Sequence, residues 1–243
     1  TELPPRGVGL LVEALLAAGR PVEAWRQMPA LRASRYLCAD LQAAQEARVA
    51  AAALAQAPDS EALDTLWRDA GKALRRQPSV IAGYARRAAA LGLEDLGAEA
   101  IEKCLDTRWD ESLAALYGRL PRGRRGSRLG RAEGWLPAHP ASPALLLCLG
   151  CLCRQENLLG KAEDYLHRAI AQGGGAEAWE ELGHCFVAEG DEAQARMSFA
   201  NALRLARAEL AQELPGRGIR ERIQDQAVRE ERDEHGMPRL PQV

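Results

Sequence analysis

The chain has 243 residues, 47% of them hydrophobic but only 5% aromatic, and a formal net charge of −2. The apolar fraction is enough for a continuous core, and the near-neutral charge excludes a general nucleic-acid binder, which is normally basic. No apolar run approaches the roughly 20 residues needed to span a bilayer.

Alanine and leucine dominate and β-branched residues are few, which favours helix throughout because these side chains lose little entropy there. Residues 8–18 read as a helix ended by Gly19, and Pro21 suits the start of the next, with Val22, Trp25 and Met28 apolar and Ala24 at a small position. From Leu31 to Gln56 one long Ala-rich helix is expected, since no Pro or Gly interrupts it. Pro58-Asp59-Ser60 forms a turn, and Asp59 or Ser60 can cap a helix over 61–76. After Gln77-Pro78, helix 79–91 carries Ile81, Tyr84, Ala85 and Ala88 and ends at Gly92, and helix 96–105 carries Gly97, Ile101 and Cys104. Helix 110–119 offers Leu113, Leu116 and Tyr117, and helix 129–138 offers Ala132 and Leu136. Between them lies an Arg- and Gly-rich insertion from Pro121 to Arg128. Residues 208–214 extend the last helix, Pro215-Gly216-Arg217-Gly218 breaks it, and the charged tail from Ile219 is expected to be mobile.

Two segments superimpose at an offset of 33 residues: Leu146, Leu149, Gly150, Ala162, Leu166, Ala169, and Trp179, Leu182, Gly183, Ala195, Phe199, Ala202. With Phe186 standing for the tyrosine, the second fits the tetratricopeptide pattern W-x2-L-G-x2-Y. The predicted fold is all-α: a tetratricopeptide right-handed α-solenoid of antiparallel helix pairs over 78–214, after an irregular helical section 1–77 and before a charged tail 215–243. Stacked pairs of this kind form a concave surface that grips a protein or peptide, so a non-catalytic scaffold is expected rather than an enzyme. None of His139, His167, His184 and His235 sits in a recognisable triad or H-E-x-x-H pattern, and Gly173-Gly174-Gly175 lacks the Lys-Ser/Thr of a phosphate loop.

The geometry of such repeats implies which residues face the groove. On the last repeat they are Glu177, Glu180, His184, Val187 and Ala188; one repeat earlier they are Ala144, Leu147, Cys151, Arg154 and Gln155; earlier still come Arg86 and Glu111. The insertion gathers Arg119, Arg122, Arg124, Arg125, Arg128 and Arg131, whose guanidinium forks suit carboxylates or phosphates. The six cysteines, Cys38, Cys104, Cys148, Cys151, Cys153 and Cys185, fall in apolar helical patterns, which favours free core thiols, a reducing compartment and no metal site.

One further pattern runs from about residue 60 to 207. Leu66-Trp67-Arg68, Ala73-Leu74-Arg75-Arg76-Gln77-Pro78 and Tyr84-Ala85-Arg86, then Trp109-Asp110, Leu116-Tyr117-Gly118-Arg119-Leu120 and Arg131-Ala132-Glu133-Gly134-Trp135-Leu136 with His139-Pro140, occur in order. Together with Leu149-Gly150 and Gly160-Lys161-Ala162, this resembles the C-terminal part of the HemY family. The resemblance implies the tetratricopeptide domain of a bacterial inner-membrane protein associated with late protohaem synthesis, without catalytic motif or cofactor of its own. It implies partner proteins among late haem enzymes, an N-terminal anchor that this chain lacks, and, with the unpaired thiols, the cytoplasmic face of the membrane. Two alternatives follow: a haem or porphyrin carrier, with haem touched by Cys151 and His184 from neighbouring helices, and a general assembly adaptor unrelated to haem.

Overall fold

The computed structural model describes residues 4–34, 37–123, 128–215 and 223–225, and among these the regular structure is helix, with no strand. The chain divides into two units, Thr1–Leu113 with Leu120–Arg124, and Ala114–Arg119 with Arg125–Val243.

The first unit opens with α1 (Pro5–Ala17), α2 (Pro21–Arg26), α3 (Met28–Ser34) and α4 (Ala39–Ala55). The single helix expected from Leu31 to Gln56 is therefore two. The Ser34 hydroxyl donates to the Leu31 carbonyl at 2.7 Å, a local bond that competes with the helical ladder, and Cys38 is extended ahead of α4. Arg32 of α3 grips the Glu46 carboxylate of α4 at 2.8 and 3.0 Å, and α4 packs against α2. Val8, Val12, Ala24, Met28, Leu31 and Val49 form the core beneath.

The helix expected over 61–76 is likewise two, α5 (Ser60–Asp69) and α6 (Gly71–Leu74). Asp59 caps α5 by accepting the Ala62 N–H at 2.8 Å. Gly71 takes φ +72°, a left-handed step that a helix cannot absorb. Next come α7 (Pro78–Ala90) and α8 (Glu94–Leu105). Helices on both sides of Gln77 share one core of Leu54, Leu63, Leu74, Val80 and Tyr84. At the crossing of α4 and α7, a Cβ on Gly83 would lie 2.5 Å from the Ala51 carbonyl oxygen. Arg87 closes the contact by donating to the Ala57 and Pro58 carbonyls at 2.5 and 3.0 Å, acceptors left over beyond the end of α4.

The second unit takes the end of α9 (Glu111–Arg119), then α10 (Arg128–Trp135), α11 (Pro143–Gln155), α12 (Leu159–Ala171), α13 (Ala176–Glu189) and α14 (Glu192–Ala206). Here α11 packs on α12, α12 on α13 and α13 on α14, a solenoid-like stacking of neighbours. The 33-residue offset is physical. After α11, Asn157 is left-handed (φ 60°) and Leu158 N–H bonds the Cys153 carbonyl at 2.8 Å; after α13, Gly190 is left-handed (φ 84°) and Asp191 N–H bonds the Phe186 carbonyl at 2.9 Å. Both ends are Schellman motifs. In the first unit the same six-to-one bond joins Leu93 to Ala88 after α7, and Arg20 to Leu15 after α1, each at 2.8 Å.

Packing repeats with the turn. A Cβ on Gly150 would lie 2.5 Å from Leu166 Cγ, and one on Gly183 would lie 2.7 Å from Phe199 Cε1, so in each pair the absent side chain admits a large residue from the next helix. The helix expected to run through 208–214 stops at Ala206, because Ala208 is left-handed (φ 60°) and the following chain is held elsewhere. The buried Asn201 amide donates to the Gln212 carbonyl and accepts its N–H, both at 2.7 Å. Apart from 223–225, the tail beyond Pro215 lies outside the described residues.

Gly150→Ala and Gly118→Ala are expected to cost about 1–3 kcal/mol by overpacking, Gly118 because its Cβ would meet the Cys148 Cα at 2.6 Å. Gly160→Ala, with open space around it, should be neutral or stabilising by at most about 1 kcal/mol. Urea unfolding midpoints check all three.

Candidate partner-binding surface

The face named from the sequence is open on α13 and closed on α11. Ser142 caps α11, its Oγ accepting the Leu145 N–H at 3.1 Å, and Pro143 begins it. Yet Leu147 and Cys151, expected in the groove, are 5% and 2% exposed, while Glu177, Glu180, His184, Val187 and Ala188 on α13 are all exposed.

Two ion pairs bridge this face. Arg119 meets Glu177 at 2.5 Å, and Arg154 meets Glu181 through Nη2 at 2.8 Å and Nε at 2.9 Å. They lie over Cys151, whose thiol burial, then Glu181 and Cys148, push well above its ordinary pKa against the pull of Arg119 and Arg154. Burial works against the Arg119 cation, but the hydrogen bond and charge of Glu177 outweigh it and raise its pKa. Glu181 escapes the repeat pattern, which assigns its position no groove role; a facing arginine on the previous repeat was the only signal for it.

Gln155 and Arg128 are occupied as well. Helix α9 ends at Arg119, leaving carbonyls without helical partners. Arg128 donates to the Tyr117 carbonyl at 3.0 Å and to Gln155 Oε1 at 3.1 Å, and Gln155 Nε2 donates to the Gly118 carbonyl at 2.9 Å. The Arg128 guanidinium also sits 5.7 Å from the Tyr117 ring centroid. This arginine thus joins the start of α10 to the last turn of α9 and to α11.

The remaining arginines of the insertion separate by role. Arg131 stacks on Trp135 at 5.8 Å, Arg122 is exposed in the first unit, and Arg124 and Arg125 lie outside the described residues. Arg86 and Glu111, also in the first unit, are exposed, and Glu111 accepts the Trp109 indole N–H at 2.7 Å.

Of the pair expected to touch haem, Cys151 is buried, whereas His184 is exposed with its ring packed edge-on against Phe199, centroids 5.2 Å apart. Cys148, Cys153, Cys185 and Cys104 are buried too, and Cys38 is exposed. Burial pushes the Cys148 and Cys185 thiols up to about 12 and Cys153 up to about 11, so these groups are neutral and weakly nucleophilic. Among the described residues no group of three or more His, Cys, Asp or Glu side chains is placed to hold a metal ion.

Comparison of the chain with protein-family models, curated proteins and solved structures finds no match. The ion pairs, the exposed stretch from Glu177 to Ala188 and the buried thiols therefore stand on this chain's own geometry.

The thiols give a pH dependence with a definite sign. An unfolded thiol ionises near about 8.5, whereas the folded ones stay neutral to about 11 or 12. Above about pH 8.5 the unfolded chain binds fewer protons than the folded one, so stability falls as pH rises toward 12. Urea midpoints between pH 8 and 11 should decline, and less steeply in Cys148→Ala. At pH 8, iodoacetamide should label Cys38 quickly and the other five only on unfolding, as read by mass spectrometry.

Proposed function

We propose that the chain is a non-catalytic scaffold of the tetratricopeptide type, which binds partner proteins on the exposed first-helix face of its last repeat. The observation that carries this reading is the 33-residue recurrence of one turn and one packing contact, Asn157 with Gly150–Leu166 and Gly190 with Gly183–Phe199. A chain that repeats a helical pair offers its neighbours and its partners the same kind of surface at each step. The face available on α13 is mixed: acidic at Glu180, amphipathic at His184 and apolar at Val187, which is 57% exposed, with Glu177 already paired to Arg119. That composition suits a partner helix or extended segment with a basic edge and an apolar anchor.

The resemblance to the HemY family extends the proposal to an inner-membrane assembly of late protohaem synthesis, and that extension rests on the quoted sequence segments. No helix among the described residues is long and apolar enough to cross a membrane.

Affinity purification of the full-length protein from its membrane, beside Glu180→Lys/Val187→Glu, tests the reading. Recovery of one protein partner at constant stoichiometry, reduced at least tenfold in the variant while the melting temperature is unchanged, is expected. Equal recovery from both forms, or turnover of a tetrapyrrole intermediate by the purified chain, would overturn it.

A further inference from the structure

A cavity of about 640 Å³ opens within the first unit, between α5–α6 and the α7–α8 pair. Its size falls within the ~300–1,000 Å³ typical of small-molecule sites. The floor is apolar. Trp67 and Tyr84 stack with ring centroids 4.1 Å apart and planes 19° apart, and Ile81, Ala100 and Leu96 continue the surface, Leu96 remaining 44% exposed.

Cations reach this floor from two directions. Lys72, Arg75 and Arg76 come from α6 and the turn after it, and Lys103 and Arg108 from the end of α8. Glu99 is the one acid of the lining, and Lys103 holds it at 2.7 Å. Arg75 is committed to the Trp67 ring at 5.9 Å and to the Gly71 carbonyl at 3.3 Å. The side chains of Lys72, Arg76 and Arg108 have no hydrogen-bond or ion-pair partner among the described residues.

A cation at the end of a helix is ordinary, since it complements the helix dipole. That accounts for each residue singly. It does not account for two helix ends directing their unpaired cations to one apolar-floored cavity, where like charges repel until an anion enters. Guanidinium and ammonium groups recognise carboxylate and phosphate oxygens, and the floor recognises an apolar or aromatic body.

We propose that this cavity binds a small amphiphilic polyanion, its apolar body resting on Tyr84, Leu96 and Ala100 and its carboxylate or phosphate groups held by Lys72, Arg76 and Arg108. The site is built wholly from residues of the first unit and does not depend on the scaffold reading.

The test uses the full chain and the fluorescent probe hydroxypyrene trisulfonate, followed by anisotropy at physiological salt. Saturable one-to-one binding is expected. Arg76→Glu/Arg108→Glu should weaken Kd at least tenfold, and Ala100→Trp, which fills the cavity without changing charge, should do the same. Arg6→Glu/Arg26→Glu, the same charge change elsewhere in the unit, should leave Kd within twofold. Circular dichroism verifies that each variant folds, and Ala100→Trp and the double-Glu variant perturb different walls, so each checks the other. Competition by 2,6-naphthalenedicarboxylate and by 1-naphthyl phosphate then shows which acid group is preferred. Absence of saturable binding, unchanged affinity in Ala100→Trp, equal loss in the control pair, or failure of both competitors would overturn the proposal.

Discussion

A missing side chain organises the second unit. Where α11 meets α12, Gly150 leaves space that Leu166 fills, and where α13 meets α14, Gly183 leaves space that Phe199 fills. Close approach of the two helices buries both faces, and apolar burial is the main favourable term in a chain of this composition. The left-handed residue that ends each first helix sets the second on its return path, and the six-to-one hydrogen bond locks that turn. Neither feature suffices alone: the turn fixes direction, and the glycine fixes distance. Tight crossings recur at Gly83 over Ala51 and Gly118 over Cys148, so the same device also joins helices that are not hairpin partners.

Close stacking has a consequence for the surface. Because α9, α11 and α13 lie near one another, Arg119 reaches Glu177 and Arg154 reaches Glu181 across the face that an open groove would expose. An exposed pair such as Arg119–Glu177 contributes only about 0.2–1 kcal/mol. The importance of both pairs is steric and electrostatic: they cover Cys151 and leave α13 as the accessible first helix. The insertion arginines show a parallel division, with Arg128 spent on the carbonyls at the end of α9 and Arg131 on Trp135. Counting charges in such a loop overstates the positive surface available to a partner.

Features governed by short-range chemistry were legible in the sequence. Gly19 and Gly92 end helices, Pro21 and Pro78 begin them, and Asp59 caps one, each for a reason carried by the residue itself. The small–large positions of the 33-residue pattern were legible because packing demands them. The break after Ser34 was not, since serine in a helix interior is unremarkable until its hydroxyl finds the Leu31 carbonyl. Asn157 was missed for a related reason: asparagine tolerates the left-handed region, but the sequence gives it no glycine's emphasis. The ion pairs beside Cys151 join residues 27 and 58 positions apart, which no local pattern encodes. The cavity of the first unit depends on the step at Gly71, which a continuous helix over 61–76 would have removed.

Glycine and its large neighbour act as one packing element, and a double-mutant cycle on Gly183 and Phe199 tests this most directly. Urea unfolding would be measured for the parent, Gly183→Ala, Phe199→Leu and the double variant. The glycine substitution is expected to cost markedly less beside the smaller leucine, with a coupling energy of at least about 1 kcal/mol. Additivity within about 0.3 kcal/mol would mean that the two residues do not share a contact, and would contradict the packing unit on which the repeat reading is built.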